Sequence, residues 1–128
     1  LFVDDDNANT SQIAEAIGNA LNLENFVFSS AGITSENITD TTIKLLNDKG
    51  HDTTNHISKL VENLPNLNNY QVIISLSEES QKIYPKPPTK TISIQWEINQ
   101  IEGDPNAKYN FLNKNINELV QAILGEEN

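Results

Sequence analysis

Two apolar rhythms alternate along this chain, one with the spacing of a helix face and the other with that of a strand. From Ser11 to Leu23, Ile13, Ala14, Ile17, Ala20 and Leu21 recur at helical intervals, with Thr10 or Ser11 placed to cap. Phe26-Val27-Phe28 reads as a short strand that ends at Ser30-Ala31-Gly32, where glycine permits a turn. Between Asn37 and Gly50 a second helical face carries Ile38, Thr41, Thr42, Leu45 and Leu46, and Gly50 suits its C-terminal cap. Ser58 to Leu64 reads as a short helix stopped by Pro65.

The run Gln71 to Leu76 is the clearest strand, apolar without interruption as in a sheet covered on both faces. Thr91 to Trp96 alternates more strongly and suits an edge. A last helix spans about Asn106 to Leu124 with Phe111, Leu112, Ile116, Leu119, Val120 and Ile123 as its buried stripe, followed by an acidic tail. Strands alternating with helices imply parallel βαβ units with helices on both faces and right-handed crossovers. Leu1-Phe2-Val3 reads as the end of a buried strand that lacks its start, so residues 1–128 are expected to form a single domain lacking the beginning of its first strand.

Composition narrows the chemistry. The chain has no cysteine, which excludes disulfides, thiol redox chemistry and cysteine metal sites. All eight basic residues are lysine, so no guanidinium is available to clamp phosphate or carboxylate in two places. A net charge of -10 argues against nucleic acid or an anionic membrane surface as partner. No apolar run approaches the roughly 20 residues of a membrane span, and no signal-type segment opens the chain. The expectation is a soluble, cytoplasmic protein.

In an open parallel sheet, ligands bind beyond the carboxyl ends of the strands, where a strand feeds a helix N-terminus. Here that place is the loop Asp4, Asp5, Asp6, Asn7, Ala8, Asn9, Thr10 and Ser11. The stretch Leu1 to Ala16 resembles the low-molecular-weight protein tyrosine phosphatases and, more closely, the thioredoxin-coupled arsenate reductases. Further matches are Ser30 to Ile33, Leu45 to Gly50, the histidine-then-basic segment Asp52 to Lys59, Tyr70 to Leu76, Trp96, and Asp104-Pro105 at a longer spacing than the family's. The resemblance implies a low-molecular-weight phosphatase-like fold: three layers, α/β/α, with a four-stranded parallel sheet in the order 2-1-3-4.

Carried across residue by residue, the same resemblance implies lost chemistry. The family's nucleophilic cysteine falls on Asp4 and its oxyanion-binding arginine on Thr10. The two redox cysteines of the arsenate reductases fall on Ser77 and Tyr84. Asn7, which shapes the loop, Ser11, which assists the nucleophile, and Asp104, the general acid, are retained. A cation site in some arsenate reductases maps to Asn7, Glu15, Ser30 and Lys59, where the lysine ammonium stands in for the ion, so no metal is expected.

A dianion about 5 Å from one carboxylate, at an effective dielectric of about 20, is repelled by several kcal/mol. Oxyanion binding is therefore expected to be weak or absent. One carboxylate, that of Asp4, is expected to turn into the amide-lined hollow and take the place of the phosphate.

Two functional classes follow: a catalytically inactive member serving as a binding, regulatory or structural module for an unknown protein partner or attached domain, without a cofactor, or a phosphatase-like enzyme with altered chemistry at Asp4. In the second class Asp4 and Asp6 have the spacing of the magnesium-dependent dehalogenase-type phosphatases, but the later lysine and acidic pair of that group are not evident. A response-regulator receiver would need an aspartate after the third strand, where Ser77 stands. Among the remaining features, His56 reads as scaffold, His51 as surface, Trp96 as packing and Asp104-Pro105 as a helix start. Lys82, Lys86 and Lys90 around Pro85, Pro87 and Pro88 form a stiff basic loop beside the site, read as solvated.

Overall fold

The computed structural model describes residues 1–64, 69–83, 91–96, 98 and 104–126. In chain order the elements are β1 (Phe2–Asp4), α1 (Thr10–Ala20), β2 (Ser30–Gly32), α2 (Asp40–Asp48), β3 (Val72–Ser75), α3 (Glu78–Ile83), β4 (Ile92–Gln95) and α4 (Pro105–Glu126). The four strands form one parallel sheet in the order β2-β1-β3-β4, the topology expected from the sequence.

The two central strands, β1 and β3, are almost wholly buried because both faces of the sheet are covered. On one face Phe2 and Ile74 meet Ile13 and Ile17 of α1, Leu46 of α2, and Leu112, Ile116 and Val120 of α4. Leu1, Val3, Ala31 and Ile73 point the other way and are covered by Val61, with Leu64 and Tyr70 at the margin. Apolar burial on this scale stabilises by roughly 1.5–3 kcal/mol per large side chain. Trp96 packs on the Phe2 ring with centroids 6.1 Å apart, so it serves the core.

Helix ends follow their local chemistry. Thr39 caps α2 by accepting from Thr42 N at 3.2 Å. At its other end Gly50 adopts φ +86, its N–H reaches Asn47 O, and His51 N reaches Leu46 O, a closed glycine-terminated turn. Asp104 caps α4 through a carboxylate that accepts from Asn106 N at 2.9 Å.

Two local expectations are corrected, and one helix is present that none announced. Residues 26–28 are not a strand: Phe2 lies opposite Ser30, so the ladder begins only at Ser30. The Phe28 main chain pairs instead with the Asn19 side chain, at 3.3 Å through its N–H and 3.2 Å through its carbonyl. Residues 58–64 hold only a 3-10 turn, Val61–Asn63, because Leu60 is drawn into an extended bridge with Gly32. α3 had no apolar stripe to announce it; its sequence Glu-Glu-Ser-Gln-Lys-Ile starts where Ser77 Oγ accepts from Ser80 N at 3.1 Å.

Gly32 closes β2 where the β1–α1 loop crosses it. A Cβ there would stand 2.5 Å from Thr34 O and 2.6 Å from Asn7 N, both main-chain atoms that cannot swing aside. Gly32→Ala is therefore expected to cost about 3 kcal/mol, read as a lower urea midpoint at unchanged slope.

Candidate functional site

The site is the loop between β1 and α1, at the carboxyl end of the sheet. Asn9 is the N-cap residue of α1, yet its side chain makes no capping hydrogen bond. The first amides of the helix must therefore find acceptors elsewhere. Asp4, at the last position of β1, provides one: its Oδ2 accepts from Ser11 N at 2.9 Å, while Oδ1 accepts from Asn7 N at 2.8 Å. The carboxylate thus lies inside the loop, 6% exposed, in the positive field of the helix N-terminus. Burial pushes its pKa above the ordinary carboxylate value, and Asp6 adds to that, while hydrogen bonds from the Ser11 and Asn7 amides and the Ser11 hydroxyl pull against it.

The other two aspartates turn elsewhere. Asp5 is exposed, and its Oδ1 accepts from Ser77 Oγ at 2.7 Å. Asp6 Oδ1 accepts from Ala8 N at 3.2 Å, closing a local turn. Of three acidic side chains that the sequence places together, one faces the hollow. Among the described residues no three acidic or imidazole side chains converge as a metal site would require.

Asn7 is the hinge of the loop. It sits in the left-handed region at φ 52, which asparagine tolerates better than most residues. Its buried amide is fully satisfied: Nδ2 donates to Ser11 Oγ at 2.8 Å and Ser30 Oγ at 2.9 Å, while Oδ1 accepts from Lys59 N at 2.7 Å and Gln12 Nε2 at 3.0 Å. Ser30 Oγ donates onward to Glu15 Oε1 at 3.2 Å. The same oxygen lies 3.6 Å from Lys59 Nζ, and Glu15 Oε2 lies 3.6 Å from His56 Nδ1. Asn7, Glu15, Ser30 and Lys59 are thus brought together, with a lysine ammonium beside the carboxylate.

The remaining sequence candidates disperse. Thr10 opens α1, Ala8 is buried, and Asn9 Oδ1 accepts from Thr42 Oγ1 at 3.0 Å. Asp104 is exposed at the head of α4 and lines a cleft of about 170 Å³ with Asn9, Thr42 and Lys108. Ser77 caps α3 and hydrogen-bonds Asp5. Tyr84 lies outside the described residues, as do Pro85, Lys86, Pro87, Pro88 and Lys90. A larger groove of about 530 Å³ lies away from the loop, against Phe26, Phe28, Val72 and Leu119.

Two residues depart from their sequence reading. Gln12, given no role, is fully buried against the loop; its signal was a polar residue sharing a helix face with the inward-facing Ala16. His51 is not a free surface group: its Nε2 meets the Tyr109 hydroxyl at 2.7 Å, beside a Lys49 ammonium 5.2 Å from the centre of the Tyr109 ring.

A search against family models matches residues 1–96 to the low molecular weight phosphotyrosine protein phosphatase model. The chain belongs to that family. Among curated proteins it is 25% identical to the glutaredoxin arsenate reductase of a Synechocystis species over 98% of this chain and 95% of the relative. Among solved structures it resembles an arsenate reductase in the phosphate binding state, with TM-score 0.76 and 23% identity over 95% of each chain. It also resembles the YwlE arginine phosphatase from Geobacillus stearothermophilus, with TM-score 0.81 and 17% identity over 98% of this chain and 92% of that one. At those identities the two structures establish the fold. No helix among the described residues is long and apolar enough to cross a membrane.

The His51 environment has a pH signature. Burial, and next the nearby His56, lower the His51 pKa below its ordinary 6.5, so the unfolded chain binds this proton more readily than the folded one. Its contribution to stability is complete above pH 6.5 and is lost as pH falls from there through the folded value. His51→Gln is expected to lose less stability than the parent on acidification across that window, measured by urea unfolding at stepped pH.

Proposed function

We propose that this chain is a catalytically inactive member of its family that works as a binding, regulatory or structural module, with its anion cradle filled from within by Asp4. The observation that carries this reading is the pair of inward amides, Asn7 N and Ser11 N, both donating to one buried carboxylate. An amide-lined hollow at a helix N-terminus attracts an anion, and here that anion is covalently part of the chain. A free phosphate or arsenate would have to displace it, with no arginine to offset the loss.

Nucleophilic chemistry is disfavoured on the same grounds. The chain has no cysteine, and an aspartate nucleophile needs an oxygen free to attack. Both Asp4 oxygens are engaged by amides, and Asp6, the second carboxylate of a magnesium reading, is turned to Ala8 N. At the neighbouring cluster we take the Lys59 ammonium to do for Glu15 what a free cation would do, leaving no demand for a metal. The module then meets its partner, a protein or an attached domain, through its surface and not through turnover.

Anion-dependent melting tests the reading. Parent melting is expected to be unmoved by sulfate or phosphate. Asp4→Ser, which leaves two inward amides without their acceptor, is expected to lose about 1–3 kcal/mol and then to recover stability as sulfate is added, by about 1.4 kcal/mol at ten times its Kd. Sulfate stabilising the parent as much as the variant would overturn the proposal. In parallel, hydrolysis of an aryl phosphate and thiol-dependent arsenate reduction should both remain at background.

A further inference from the structure

Three donors converge on the Asp4 carboxylate. The Asn7 N–H reaches Oδ1 at 2.8 Å, the Ser11 N–H reaches Oδ2 at 2.9 Å, and the Ser11 hydroxyl turns its hydrogen the same way. A carboxylate suits that surrounding because both of its oxygens only accept. A carboxylic acid does not, since an added hydrogen on either oxygen meets another hydrogen. Of the three donors only the hydroxyl could turn round to accept, and its oxygen already holds Asn7 Nδ2 at 2.8 Å. Protonation also removes the charge that balances the helix N-terminus. The neutral side chain thus gives up what held it in the hollow, while two inward amides are left in want of an anion.

The main chain does not follow. Asp4 is the last residue of β1, opposite Gly32, and its carbonyl accepts from Ile33 N at 3.1 Å. The strand keeps its place and only the side chain turns. Burial favours the neutral form, and so does Asp6 from the same loop, which brings the change above the ordinary carboxylate value. The elements packed around the loop carry further charges. Glu15 of α1 lies beside Lys59 and His56, and Asp5 accepts from Ser77 Oγ ahead of α3, whose first turn holds Glu78 and Glu79. Asp40 opens α2, while Asp104, ahead of α4, and Lys108 within it line the cleft beside Asn9.

We propose that protonation of Asp4 is a switch: the charged side chain keeps external oxyanions out of the loop, and the neutral one gives way to them. This rests on the reading of the loop as an anion cradle filled by Asp4.

Sulfate, which stays a dianion where carboxyl groups titrate, is the probe. In isotopically labelled parent protein the Asp4 carboxyl carbon reports its protonation, and the amide shifts of Asn7 and Ser11 report the anion. At neutral pH those amides are expected to stay still. On acidification sulfate is expected to move them, with an affinity that is constant below the Asp4 midpoint and falls by about tenfold per pH unit above it, one proton being taken from solvent per anion bound. Asp4→Asn, whose side chain is neutral at every pH, is expected to bind sulfate without that slope. The same slope in Asp4→Asn would mean that acid acts on the whole acidic surface, and the proposal would be overturned. Unfolding of the parent before Asp4 takes its proton would overturn it as well, because a switch must work in the folded chain. Where a variant does not fold, the parent alone decides: a slope that fails to break at the Asp4 midpoint sinks the switch. If Asp4→Ser and Asp4→Asn bind sulfate and the acidified parent does not, the switch fails while the filled cradle stands. If neither variant binds it, the reading of the cradle fails and the switch with it.

Discussion

The structure depends on one carboxylate accepting two main-chain amides. A loop that turns its N–H groups toward a common centre has created a demand for negative charge, and without an acceptor each buried donor costs about 1–3 kcal/mol. Asp4 meets that demand from the end of β1, the one position whose side chain enters the hollow while its main chain stays in the sheet. The same contact joins three elements: it ends the strand, shapes the turn and caps a helix whose own cap residue, Asn9, makes no capping bond. Part of what the contact gains is offset by desolvation, since burying a charge opposes ionisation, and for that reason the carboxyl pKa rises despite its partners.

Around that contact lies a layer of buried polar side chains, of which the Ser11 hydroxyl also reaches Asp4. Asn7, Ser11, Ser30 and Gln12 are all fully buried, an unusual concentration of polar side chains in a small core. Their donors and acceptors match one another closely: both hydrogens and two lone-pair directions of the Asn7 amide are used. Networks of this kind specify one geometry because a half-satisfied alternative costs more than an apolar one. The chain has no cysteine and no arginine, yet the side-chain donors and acceptors of this layer are all paired.

How much of this was legible beforehand follows from what each residue answers to. The helices at 10–20, 40–48 and 105–126 and the strand at 72–75 rest on apolar periodicity that a single chain displays openly, whereas the sheet order came with the resemblance. The loop was placed by the rule that ligands meet parallel sheets at their carboxyl ends, and Asp4 by its position in the resemblance. The burial of Gln12 had a signal in its helix face, but its partners were not legible, because they are a carbonyl at Ile57, 45 residues away, and an imidazole at His56. His51 was misjudged for the same reason: its partner, Tyr109, arrives from α4. Residues 26–28 carry strand-forming side chains, but strand identity needs a neighbour in register, and the ladder on that side starts at Ser30.

The pairing of Asn19 with Phe28 bears on how the molecule behaves among others. β2 is an outer strand of the sheet. Phe2 N donates to Ser29 O, so alternation turns the main-chain groups of Phe28 away from β1, toward the open side. There they meet a side-chain amide that offers one acceptor and one donor, as a neighbouring strand would. An outside strand seeking to extend the sheet finds those positions already taken. A single asparagine, projecting from a helix, thus occupies two main-chain positions of the kind that other proteins cover with charged edges, bulges or loops.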